Sequence, residues 1–129
     1  MKIGVDLHGV IDSAPKFFRG WLSTLFLEKV EVYIISGPSR PKIVAELEEL
    51  GFRKGVHYKE VYSIVNYLKE AGVPMWQDEN GNWWSNDRDW RTSKARICNK
   101  LSIDWMLDDQ EMYRAAFADI KTKFTLYQG

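Results

Sequence analysis

Short apolar runs alternate along this chain with longer stretches in which apolar residues return every three or four positions. Lys2 to Leu7, Glu31 to Ile35, Tyr58 to Tyr62, Ile103 to Leu107 and Lys123 to Tyr127 have the length and content of strands. Phe17, Phe18, Trp21, Leu22, Leu25 and Phe26 recur at helical spacing, as do Ile43, Val44, Leu47 and Leu50. Ser13 is a candidate cap for the first helix, with Pro15 in its opening turn, and Gly51 is a stop for the second. Further helices are predicted over Val65 to Ala71, from Thr92 or Ser93 to Leu101, and over Glu111 to Ala118. Asn80-Gly81 between apolar flanks predicts a small β-hairpin insertion around residues 73–84.

Strand and helix alternate almost throughout, which predicts an α/β fold with a parallel sheet covered on both faces. Residues 1–129 make one domain of ordinary size, with no repeat, low-complexity tract or long linker to divide it.

Composition adds mostly exclusions. Eighteen basic and eighteen acidic residues balance to a net charge of zero, so no general basic footprint for nucleic acid is present. Cys98 is alone, which excludes a disulfide framework and a CxxC metal knuckle. No run approaches the roughly 18 apolar residues of a membrane span. Lys2 followed by Asp6 is no signal peptide, so a cytoplasmic location with no membrane partner is expected.

Chemistry concentrates at the ends of the apolar strands. Asp6 ends the first, Ser36-Gly37 the second and Asp108-Asp109 the fourth. In open α/β sheets that edge binds ligands. Two adjacent acids after a strand repel unless a cation joins them, which points to a divalent metal. Gly37 lets a backbone N–H approach an anion beside the Ser36 hydroxyl, with a helix N-terminus behind it. Lys94 supplies a cation ahead of the fourth strand; Lys100 is the second choice, nearer the far end of its helix. Asp12 suits a turn or cap as well as a site role, and His57 has no partner in this constellation.

These four pieces resemble the four motifs of the haloacid dehalogenase-like hydrolases, and the resemblance covers nearly the whole chain. It implies a three-layer Rossmann-like sheet of about five strands, with the first strand central, and a Mg2+-dependent phosphohydrolase acting on a phosphomonoester. Asp6 would be the nucleophile that carries an aspartyl-phosphate, and Lys94 would hold the nucleophile and the phosphate charge. Ser36 and Gly37 would bind the phosphoryl oxygens. Asp6, Asp108, Asp109 and the backbone carbonyl of His8 would hold Mg2+. The departure is His8, where most phosphatases of that superfamily carry a second aspartate. Three roles stay open for its side chain: general acid and base near neutrality, ligand to a softer metal, or a group that weakens or silences the site.

Many relatives carry a large cap domain, and no interval here holds one. The resemblance therefore implies an open site, unless the hairpin or a homo-oligomeric neighbour partly roofs it, suited to a phosphorylated small molecule, a nucleotide or a polymer end. Trp76, Trp83, Trp84 and Trp90 crowd into one stretch. They either pack the hairpin or stack a base or sugar; alternation sends Trp83 and Trp84 to opposite faces. The rival function is a catalytically inactive phosphate- or nucleotide-binding protein. A receiver-type domain fits less well because its paired acids follow the first strand, and a metal-dependent nuclease leaves Ser36 and Lys94 unexplained.

Overall fold

Apolar strand faces and amphipathic helices assemble here into three layers. The structure, a computed structural model, describes Met1–Gly129. In chain order the elements are β1 (Lys2–Val5), α1 (Pro15–Leu27), β2 (Glu31–Ser36), α2 (Arg40–Glu49), β3 (Glu60–Ser63) and α3 (Ile64–Glu70). The hairpin strands β4 (Trp76–Gln77) and β5 (Trp83–Trp84) follow, then α4 (Asp87–Leu101), β6 (Trp105–Asp108), a 3-10 helix (Glu111–Phe117) and β7 (Lys123–Leu126). The main sheet has five parallel strands in the order β3-β2-β1-β6-β7, and β4 pairs with β5 in a separate antiparallel hairpin. This is the expected α/β fold, compatible with a Rossmann-like three-layer architecture.

Alternation along the strands divides the core in two. Ile3, Val5, Val32 and Ile34 pack with Phe18 and Leu22 of α1 and Ile43 and Leu47 of α2. Tyr33, Ile35 and Met106 pack with Ile64 and Leu68 of α3 and with Ala95, Ile97 and Cys98 of α4. Gly4 sits between these neighbours on the second face, where a Cβ would lie 2.7 Å from Met106 Sδ and 2.9 Å from Ile35 Cδ1. No helix is long and apolar enough to cross a membrane.

Several expected boundaries move. Ser13 does not cap α1: it lies in a 3-10 turn, its hydroxyl donates to Val10 O, and Ala14 takes the cap position with Pro15 behind it. The fourth helix begins at Asp87 rather than at Thr92 or Ser93. Asn86 caps it by accepting from Asp89 N at 2.9 Å, and its amide donates back to Asp89 Oδ2. The third strand starts at Glu60, because Tyr58 is held instead in an isolated bridge to Lys54. Glu111–Phe117 winds as a 3-10 helix rather than the expected α-helix over Glu111 to Ala118.

The strand order reverses between β1 and β6. That is the point of an open α/β sheet where adjacent crossovers leave in opposite directions and a crevice opens at the carboxyl ends. Asp6 and Asp108 flank it, and Asp6 N donates to Leu107 O across the pair.

Phe18 is buried beneath α1 with edge-on contacts to Trp21 and Tyr127. Truncating such a ring costs about 3–5 kcal/mol. Phe18→Ala is therefore expected to lower the urea-unfolding free energy by that amount.

Candidate active site at the carboxyl edge of the sheet

The centre of the site is a buried cation between buried carboxylates. Lys94 lies two turns into α4 rather than at its start, and its stem reaches to the edge where β1 and β6 end. Its ammonium contacts Asp6 Oδ1 at 3.2 Å and makes a short hydrogen bond to Asp108 Oδ2. All three side chains are buried. The Tyr113 ring lies beneath the ammonium, 4.5 Å from nitrogen to centroid. Burial works against the charge on Lys94, but the Asp6 and Asp108 carboxylates outweigh it and hold the ammonium above its usual range. Lys100 is exposed and lies outside this group.

Burial also pushes the Asp6 carboxyl up to about 6; Lys94 opposes that rise and Asp108 adds to it. Leu7 N and Lys94 both use Oδ1, so Oδ2 is the oxygen those contacts leave. Asp108 is more fully engaged, with Oδ2 on Lys94 and Oδ1 accepting from Gln110 N at 3.0 Å. Asp109 differs: Oδ2 accepts from Gln110 Nε2, while Oδ1 is buried with no hydrogen-bond partner. Gly9 makes room for this carboxylate. It has φ +82°, and a Cβ there would lie 1.9 Å from Asp109 Oδ2.

One oxygen from each of Asp6, Asp108 and Asp109 falls within 4.8 Å of the others. Hard oxygen donors in such a cluster, one of them buried and unpaired, suit Mg2+ or a similar divalent ion. Ser36 Oγ is likewise buried; it lies close enough to Asp6 to help hold that carboxyl down, but no partner sits in full hydrogen-bond geometry. A buried hydroxyl without a partner is costly, so this atom also wants a ligand.

The Ser36-Gly37 turn is fixed from behind by α3. Val65 N donates to Gly37 O, the Ser63 hydroxyl donates to Pro38 O, and Asn66 Oδ1 accepts from Arg40 N. Nothing local in the sequence marks these three contacts. Asp12 takes the turn role, accepting from Gly9 N at 2.7 Å. His57 packs edge-on against Phe52 and accepts from Arg53 N, away from the site.

His8 stands on the rim. Its Nε2 hydrogen-bonds Glu46 of α2 at 2.6 Å, and both side chains are nearly half exposed. Asp6, Ser36, Gly37, Lys94 and Asp109 share one cavity of about 490 Å³ with His8, and its far wall is the hairpin. The hairpin thus walls one side of this cavity. Its loop is longer than the two residues Asn80-Gly81 suggest, because Asp78 Oδ1 collects both Asn80 N and Asn82 N.

No family model matches the chain, and no curated protein matches it. Its fold is similar to that of an uncharacterized protein from Corynebacterium glutamicum, solved as a crystal structure. The two are 16% identical with a TM-score of 0.59 over 99% of this chain and 85% of the other. That likeness extends to the fold, a Rossmann-like α/β domain.

Removing one partner from a buried ion pair costs about 3–5 kcal/mol, since the other charge is stranded. Lys94→Met is expected to lose that much in urea unfolding. Asp6 gives a pH signature as well. Its folded pKa of about 6 exceeds the ordinary 3.8, so the folded chain holds more protons between those values. Stability supported by that proton falls as pH rises through the window. In metal-free buffer the native chain should lose stability relative to Asp6→Asn from about pH 4 to about pH 6, and the difference should flatten above.

Proposed function

We propose that this chain is a divalent-metal-dependent phosphohydrolase of the haloacid dehalogenase-like type, acting on a phosphomonoester through Asp6. The observation that carries the proposal is the cluster itself: Asp6, Asp108, Asp109, Lys94 and the unpartnered Ser36 hydroxyl at the switch point of a parallel sheet. Such a set has more acceptors and unpaired polar atoms than a structural ion pair needs, and a metal with a phosphoryl group supplies partners for each.

Asp6 Oδ2 and Asp109 Oδ1 are the oxygens left to hold Mg2+, with Asp108 kept behind them by Lys94 and Gln110. The ion would neutralise phosphate charge and orient the phosphoryl group. An Asp6 oxygen attacks phosphorus, the P–O ester bond breaks, and the leaving oxygen takes a proton. Water then attacks the aspartyl-phosphate, giving up a proton as phosphate leaves and Asp6 is restored. Ser36 and the Gly37 turn donate to the phosphoryl oxygens, and Lys94 balances their charge. His8 is the candidate acid and base. With Nε2 on Glu46, Nδ1 is the ring nitrogen left for proton transfer.

That same His8–Glu46 bond favours a second reading, in which the imidazole is turned away and the chain binds phosphate or nucleotide without turnover. Phosphate release from an aryl phosphate separates the two. The expected result is turnover that requires Mg2+, disappears with EDTA and is lost in Asp6→Asn. His8→Asp then reports the role of the histidine: a fall means His8 works as acid and base. A silent native chain with activity gained in His8→Asp would establish the binding protein instead.

A further inference from the structure

The cavity continues past the phosphate turn to a set of fixed aromatic rings. Trp90 stands against Gly37, where a Cβ would lie 3.3 Å from Trp90 Cζ2. Its indole N–H donates to the Tyr113 hydroxyl at 3.0 Å, so the ring is locked to the residue under Lys94. Trp84 leans on Trp90 with centroids 5.1 Å apart and donates from Nε1 to Asp78 Oδ2. Trp83 is covered differently, with the Lys69 ammonium 3.7 Å from its ring centroid.

Trp84 thus combines three properties. It lines the same cavity as Asp6 and Ser36, both its edge and one side are held, and it remains 40% exposed. A large indole held rigid yet left open is a stacking surface whose ordering cost is already met. Gln77 and Asn82 also line the cavity, with Gln77 Nε2 already donating to Gly81 O at 3.2 Å and its amide oxygen left free of that bond. They offer donors and acceptors of the kind that meet the polar edge of a heterocycle. A volume of about 490 Å³ lies within the size range of small-molecule sites.

We propose that the site takes a nucleoside monophosphate unit, with the phosphate at Ser36, Gly37 and Lys94 and the base stacked on Trp84. This rests on the phosphate site proposed above but not on its turnover. The same unit occurs free and at the phosphorylated end of an oligonucleotide, and net charge does not choose between them.

The test is equilibrium binding by intrinsic tryptophan fluorescence in Mg2+ buffer, on the Asp6→Asn background so that no probe is consumed, with AMP, a 5′-phosphorylated dinucleotide and glycerol 3-phosphate as probes; the Trp variants below are compared with that parent. AMP should bind at least tenfold more tightly than glycerol 3-phosphate. Base stacking on an aromatic side chain is worth about 1–3 kcal/mol, so Trp84→Ala should weaken AMP about 5- to 150-fold. Trp84→Phe keeps a ring and should stay within a few-fold of the parent. Trp76→Phe, on the hairpin but outside the cavity lining, should bind AMP as the parent does. Tighter binding of the dinucleotide would assign the site to a polymer end, and weaker binding to the free nucleotide.

Equal affinity for AMP and glycerol 3-phosphate, or an AMP affinity that Trp84→Ala leaves unchanged, would overturn the inference. Unchanged circular dichroism of Trp84→Ala guards against a folding artefact, and Trp84→Phe decides the matter if that variant unfolds. Failure here is separable from failure of the proposed function. Ring-dependent binding without phosphate release removes the hydrolase and keeps the nucleotide site, whereas equal hydrolysis of AMP and glycerol 3-phosphate does the reverse.

Discussion

A lysine with no access to water can remain charged only if its surroundings replace what water gave, and here two aspartates at adjacent strand ends do so. Lys94 ties α4 to β1 through Asp6 and to β6 through Asp108. The rest of the edge is built outward from that contact. Tyr113 lies beneath the ammonium, Trp90 is hydrogen-bonded to Tyr113, and Trp84 rests on Trp90. A side chain at Gly37 would press on Trp90, whose ring lies 3.3 Å from the place its Cβ would take. A chain of direct contacts therefore runs from the buried ion pair to the hairpin. The position of the aromatic wall depends on the same lysine that orders the carboxylates.

Charge at this centre does not balance. Three carboxylates cluster beside one ammonium, and the Asp6 carboxyl is pushed up to about 6, chiefly by burial, with the Asp108 charge adding to the rise. Asp109 Oδ1 is buried without a partner. Proteins seldom leave such groups unsatisfied for structural reasons, because each costs stability and returns none. A structural ion pair would stop at Lys94 with one or two acids. A third acid, a glycine shaped around it and a serine hydroxyl outside full hydrogen-bond geometry are the groups that the proposed cation and anion would satisfy.

The strand ends were legible because parallel strands buried on both faces are nearly continuous apolar runs, so a terminal Asp6, Ser36 or Asp108 stands out. Burial of all three follows from the sheet, and their convergence from its strand order. Lys94 was identifiable for a similar reason, as a cation on the helix preceding the acidic strand. The true start of that helix carried its own signal in Asn86 and Asp89, a reciprocal cap that Thr92 and Ser93 imitate further on. Ser13 is the converse case, with cap chemistry and a backbone committed to a tighter turn. What no local pattern marks is tertiary: the grip of α3 on the Ser36-Gly37 turn, Tyr113 under Lys94, and Glu46 on His8. Each joins residues distant in sequence through side chains that are individually unremarkable.

The hairpin illustrates how a chain of this size shapes a site without a second domain. Two strands of two residues each are not stable alone, and β4-β5 pairs with no strand of the main sheet. It is held by Asp78 gathering its loop amides and the Trp84 indole, by Trp84 on Trp90, and by Lys69 over Trp83. The last two contacts belong to α4 and α3, the helices that also carry Lys94 and fix the Ser36-Gly37 turn. Aromatic wall and Ser36-Gly37 turn therefore share their supports. The proposed nucleotide would bridge these two supported parts, whereas a ligand that reached only the carboxylates would not.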